Sequence, residues 1–171
     1  SYDDGVRLFA TRDIHELGRL ADIVRRRKNG DRAYYNVNRH INYTNLCVLR
    51  CKFCSFYRPW GAEARDGYEL SVDDVVVRAR EAYAHGATEV HIVGGLHPKL
   101  PFSYYTDLCA AIRAVCPHLH IKAFTAIEII HFTRISQPRR TITEVLTELR
   151  AAGLGSLPGG GAEIFDDRVH D

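Results

Sequence analysis

Three cysteines, Cys47, Cys51 and Cys54, fall at a C-x3-C-x2-C spacing within a single short stretch. Whatever fold this chain adopts must gather three soft thiol side chains on one loop. Thiolates suit iron–sulfur clusters or zinc. Three of them can hold three irons of a cubane cluster and leave the fourth iron without a protein ligand here, open to a substrate. Zinc would need a fourth ligand, which His40 could supply, but no second Cys/His pair follows at the spacing of a paired knuckle. A disulfide framework is the other alternative. The remaining cysteines, Cys109 and Cys116, lie far away in a helical pattern, and the total of five is odd. The cluster is the favoured reading, with zinc and a disulfide as its competitors.

The 171 residues suffice for one domain with a core. A 46% hydrophobic and 26% charged composition is ordinary for a soluble globular protein. A net charge of +2 gives no support to a nucleic-acid groove or an anionic membrane as partner. The apolar runs are too short for a membrane span, and no signal-peptide pattern opens the chain. Clustered cysteines then favour a reducing cytoplasm. The chain has no methionine and starts at Ser1, which reads as a start other than the native one.

Along the chain, residues 13–29 read as a helix. Asp13 and Glu16 form a capping box, Ile14, Leu17, Leu20, Ala21 and Val24 an apolar stripe, and Gly30 the stop. The basic run from Arg25 to Lys28 suits the negative end of the helix dipole better than a nucleic-acid patch. Residues 33–43 are extended, as one strand or two short ones, and lead directly into the cysteines. Helices are expected over 71–86, 103–115 and 141–153, with strands at 88–93, 120–125 and 154–158. Cys109 falls on the buried face of its helix and reads as core. Strands alternating with helices imply parallel pairing and right-handed crossovers.

Polar and glycine-rich residues gather just after each strand, the habit of a TIM-type barrel with its chemistry on the C-terminal rim. The expected fold is thus α/β, a partial (β/α) barrel of about four units. Residues 1–32 would form an N-terminal helical extension and 33–171 the first part of the barrel. A closed barrel takes on the order of 250 residues, so the chain reads as truncated, with its C-terminal half missing. Alternate strand residues point to a barrel's lumen. This puts Glu89, His91 and Val93 on one face of the second strand, and His120, Lys122 and Phe124 on one face of the third. His91, Lys122 and the rim residue His97 are candidate catalytic residues, Lys122 as a cationic partner for a carboxylate. As barrel-interior residues they could equally serve a structural hydrogen-bond network. Gly94 and Gly95 would let a ligand approach the backbone. Glu128 and Glu163 could accept hydrogen bonds from ribose hydroxyls or an ammonium group, or simply sit at helix N-termini. Trp60 is a loop anchor or a shield for the cluster.

The cysteine spacing, with Phe53 just before the last cysteine and a strand just before the first, resembles the radical S-adenosylmethionine (SAM) enzymes. The resemblance implies a 4Fe–4S cluster on Cys47, Cys51 and Cys54, with SAM chelating the open iron, and Phe53, Gly94, Gly95, Glu128 and Glu163 as cofactor-binding positions. Gly94-Gly95-Leu96 matches that family's Gly-Gly-Glu, with Leu96 replacing Glu. The stretches 40–45, 91–98, 122–129 and 157–165 are similar to the aminodeoxyfutalosine synthases of menaquinone biosynthesis. This implies addition of a 5′-deoxyadenosyl radical to 3-[(1-carboxyvinyl)oxy]benzoate, an aryl enol-ether carboxylate, giving 6-amino-6-deoxyfutalosine. It also implies an electron donor such as flavodoxin or ferredoxin. The alternatives are a cyclic dehypoxanthinylfutalosine synthase, a deazaflavin-forming synthase and, outside enzymes, a zinc-stabilised binding module.

Overall fold

The computed structural model describes residues 1–52, 54–61, 65–160, 166 and 168. Two of the expected cofactor-binding positions, Phe53 and Glu163, lie outside the described residues. The chain divides into two compact units, Ser1–Tyr35 and Asn36–Asp171.

The first unit holds helices α1 (Tyr2–Ala10) and α2 (Ile14–Asn29). Helix α1 precedes the first helix expected from the sequence. The cue for α1 was the reciprocal pairing of Ser1 with Asp4, a capping box at the chain's first residue. In α2 the Asp13 carboxylate accepts from the Glu16 N–H at 2.9 Å, and Gly30 ends the helix at φ +60°. The expected apolar stripe is present, yet neither helix buries a residue.

The second unit carries β1 (Asn38–Ile41), β2 (Leu46–Cys47), β3 (Arg58–Pro59), α3 (Val72–Ala84), β4 (Glu89–Ile92), α4 (Phe102–Val115), β5 (His120–Ala123), α5 (Ala126–Ile135) and α6 (Ile142–Ala151). Strands β1, β4 and β5 form a parallel sheet in that spatial order. Strands β2 and β3 form a separate short parallel pair within the cysteine loop. The alternation read from the sequence decides the faces. Val90, Ile92, Ile121 and Ala123 are fully buried and join Val75, Ala79, Leu108, Ile112, Val145 and Leu149 in one core. Each Val, Leu or Ile among them contributes about 1.5–3 kcal/mol by leaving water. Cys109 lies in that core, where burial pushes its thiol up to about 12.

Three features depart from the sequence reading. The strand expected at 154–158 is reduced to a single parallel bridge, Ser156 to Lys122. Helix α5 was not anticipated, although Thr125 and Glu128 form its capping box. Phe124, expected to share a face with Lys122, instead adopts φ +65°. The left-handed residue swings its ring into the core against Tyr43, Tyr105 and Phe132, with centroids 6.2, 5.6 and 5.1 Å away.

Candidate active site

The strand-to-loop passage at Asn42-Tyr43-Thr44-Asn45 fixes the cysteine loop at its root. Thr44 Oγ1 donates to the Tyr68 carbonyl at 2.6 Å. The Asn45 amide donates to the Asp66 carbonyl and accepts from the Tyr68 N–H, at 2.8 and 2.9 Å. The returning end of the loop is therefore stapled beside the outgoing strand. Farther out, the Trp60 ring meets His97 edge-on at 4.9 Å and Lys99 Nζ sits 5.4 Å over it, so Trp60 anchors the loop.

Cys47, Cys51 and Cys54 line one cleft of about 210 Å³, together with Tyr57, Gly94, Leu96, Thr125, Ile127, Glu128 and Gly160. Tyr57, Thr125, Ile127 and Gly160 are not among the site residues expected from the sequence. Tyr57 follows Cys54 in the cysteine loop itself, whereas Thr125, Ile127 and Gly160 come from other turns at the same rim and are brought in only by the three-dimensional register. A larger depression, about 630 Å³, opens between residues 98–103 and Arg134, Gln137 and Arg140, and no cysteine borders it. All five cysteines are free thiols.

The turn after β4 is held against this loop from below. A Cβ on Gly95 would lie 2.2 Å from the Leu46 carbonyl oxygen, and one on Gly94 would lie 2.6 Å from the Tyr43 ring. The glycines thus admit the protein's own backbone and core, a different need from the ligand approach expected of them. Three consecutive amides donate inward. Gly94 N–H donates to Glu128 Oε1 at 3.1 Å, Gly95 N–H to the Thr44 carbonyl at 2.9 Å, and Leu96 N–H to Cys47 Sγ at 3.3 Å. With its N–H groups committed, and the Gly95 and Leu96 carbonyls near the Tyr43 hydroxyl and the Val48 N–H, the turn offers a ligand chiefly the Gly94 carbonyl, a polarity that suits an ammonium group. Val48 N–H donates to the Leu96 carbonyl at 3.0 Å. Leu96 is therefore held by its backbone, which makes its side chain dispensable for this contact.

Glu128 is buried at the cleft's edge. Burial raises its carboxyl above the ordinary range, and its hydrogen bonds from Thr125, Tyr43 and Gly94 pull the other way. On the sheet face opposite the core, His40, His91 and Lys122 stand in one row across β1, β4 and β5. The rings of His40 and His91 stack at 4.4 Å, which engages His40 away from the thiols and leaves it out of the cleft lining. Partial burial, then the neighbouring His40 and Lys122, lowers the His91 pKa. Lys122 Nζ lies 3.3 Å from Glu89 Oε1. His97 is elsewhere. Its ring is buried, Nδ1 accepts from the Lys99 and Leu100 N–H groups at 3.1 and 3.0 Å, and Nε2 lies 2.8 Å from Glu69 Oε2. That engagement orders the loop after the glycine turn and takes the ring out of the cleft, against the expectation of a rim residue facing substrate.

Residues 41–171 match the model of the radical SAM superfamily. The chain belongs to this superfamily. It is 44% identical over 169 residues to the aminodeoxyfutalosine synthase of Thermus thermophilus, covering 99% of this chain and 44% of that protein. It is 46% identical over 167 residues to the enzyme of the same name from Streptomyces coelicolor, covering 98% and 42%. An FO synthase from Nocardia farcinica is 43% identical over 170 residues, covering 98% and 19%. The chain thus spans less than half the length of these relatives. Among solved structures, methylornithine synthase superposes with a TM-score of 0.57 at 15% identity, over 94% of this chain and 55% of that one. That likeness shows the fold, the partial (β/α) barrel of radical SAM type.

Radical SAM enzymes use a 4Fe–4S cluster and SAM, and the residues present fit both. Three thiols border one cleft, and Cys47 Sγ already accepts two backbone N–H groups, from Leu49 at 3.4 Å and Leu96 at 3.3 Å. Such donors stabilise a cluster thiolate.

Proposed function

We propose that the chain is the cluster-bearing part of an enzyme that joins the 5′-deoxyadenosyl group of SAM to the enol-ether double bond of 3-[(1-carboxyvinyl)oxy]benzoate, giving 6-amino-6-deoxyfutalosine for menaquinone synthesis. The observation that carries the chemistry is the cleft shared by Cys47, Cys51, Cys54 and the Gly94 turn. The likeness to aminodeoxyfutalosine synthases over nearly the whole chain supports the substrate. Bound to the three cysteines, the cluster with SAM supplies a 5′-deoxyadenosyl radical. The remaining work falls to the chain's own groups. Cys47, Cys51 and Cys54 would hold the cluster, and the Gly94 turn would receive the SAM ammonium.

The substrate has two carboxylates, and the row of His40, His91 and Lys122 offers donors on one face of the sheet. In this reading Lys122 and His91 orient a carboxylate by charge-assisted hydrogen bonds. His97 acts at a distance, by ordering the loop that follows the glycine turn. A flavodoxin or ferredoxin would supply the electron. Among the described residues no helix is long and apolar enough to cross a membrane, and five unpaired thiols suit a reducing compartment such as the cytoplasm.

A second reading, a deazaflavin-forming synthase, is favoured by the similar identity to an FO synthase. Anaerobic incubation of the full-length enzyme with reductant, SAM and the benzoate enol ether separates the two. Formation of 6-amino-6-deoxyfutalosine by mass spectrometry supports the first reading. Turnover only with a ribitylaminouracil and tyrosine supports the second.

A further inference from the structure

We propose that Glu128 and Tyr43 are positioning residues: the buried pair fixes the Gly94–Gly95 turn that receives the amino-acid end of SAM, and Glu128 acts through Gly94 without touching the ligand. The inference rests on the reading that SAM binds at this turn. A carboxylate has about four acceptor positions, and Glu128 uses four. Its Oε1 accepts from the Tyr43 hydroxyl at 2.7 Å and from Gly94 N–H at 3.1 Å. Its Oε2 accepts from Thr125 N–H at 2.7 Å and Thr125 Oγ1–H at 2.9 Å. No acceptor position remains for a ribose hydroxyl or an ammonium group, the roles that the sequence suggested for this carboxylate.

The same four bonds join three elements. Tyr43 follows β1, Gly94 follows β4, and Thr125 caps α5. Tyr43 is fully buried, its ring fills the space where Gly94 would carry a Cβ, and its hydroxyl lies 3.3 Å from the Gly95 carbonyl. On the opposite side Thr44 and Cys47 hold the next two amides of the turn. The turn is thus gripped between the cysteine loop and Glu128. Glu128→Gln puts an amide NH2 where a carboxylate oxygen meets two donors. One pair of bonds must then open, either to Tyr43 and Gly94 directly or to Thr125, the cap of the helix that carries Glu128, and the turn loses its fixed support.

The test uses the full-length enzyme with its cluster reconstituted. Binding of SAM, of methionine and of 5′-deoxyadenosine is measured separately by calorimetry, with iron content as the control. Glu128→Gln is expected to weaken SAM and methionine by a similar factor, about tenfold for one lost buried partner, while 5′-deoxyadenosine and iron content stay unchanged. Tyr43→Phe is expected to move SAM and methionine in the same direction by less, and serves if Glu128→Gln does not fold. A generally loosened fold would weaken all three ligands alike and overturn the proposal. Selective loss of 5′-deoxyadenosine would overturn it too, by making Glu128 a direct contact. Unchanged binding in both variants would overturn it as well. Failure of the unsubstituted enzyme to bind SAM at all would instead defeat the reading of the site, and this proposal with it.

Discussion

At Gly95 the site has least room. A Cβ there would press on backbone, the Leu46 carbonyl oxygen at 2.2 Å and its carbon at 2.7 Å, and backbone cannot swing aside as a side chain can. Gly95→Ala is therefore expected to destabilise the fold by about 1–3 kcal/mol. Chemical denaturation would show this as a lower midpoint at unchanged slope, and an unchanged midpoint would contradict the packing. His91 makes a second residue-scale prediction. Its folded pKa is lowered by burial and by the facing His40 and Lys122, against the opposing pull of Glu89. The unfolded chain then takes up the proton first. Stability falls as pH drops through the unfolded value, about 6.5, and levels off below the folded one. His91→Gln should flatten that part of the pH–stability curve. Parallel curves for the two proteins would contradict it. The pair Gly94-Gly95 was legible as important, but the reason was not. Leu46 and Tyr43 meet these glycines only through the β1–β4 pairing, which no local pattern announces.

Among the elements, helices were the most legible, because caps and apolar spacing are local. Ser71–Asp74 and Thr141–Glu144 form capping boxes at the starts expected for the helices over 71–86 and 141–153. Helix α5 carries the same signature at Thr125–Glu128. Its start is hidden in the sequence because residues 120–125 read as one strand and the left-handed turn at Phe124 has no glycine to mark it. Thr141→Ala is expected to cost about 1 kcal/mol, the ordinary loss of an N-cap. Thr125→Ala should cost more, since the Thr125 hydroxyl also satisfies the buried Glu128. Thermal melts of the two variants side by side decide this, and equal shifts would show that Glu128 does not depend on Thr125.

For the molecule as a whole, the core is built without the three clustered cysteines. The aromatic heart of Tyr43, Tyr105, Phe124 and Phe132 is fully buried, while Cys51 is exposed and Cys47 and Cys54 only half-buried. The fold should therefore survive loss of the cluster. Replacing Cys47, Cys51 and Cys54 together by Ser is expected to abolish iron binding yet keep the far-ultraviolet circular dichroism and a cooperative melt. A zinc-stabilised module would behave oppositely, since its metal supplies the folding free energy. The parallel α/β plan was legible from alternation alone. The row of His40, His91 and Lys122 was legible only in part, because pairing register and not sequence brings His40 beside His91.

The most direct test of a three-cysteine cluster with an open iron is electron paramagnetic resonance of the anaerobically reconstituted, reduced enzyme, with and without SAM. A 4Fe–4S signal that changes on adding SAM, and that Cys47→Ala abolishes, is the predicted result. A folded protein that takes up no iron and sulfide, or a cluster signal that SAM leaves unaltered, would contradict it.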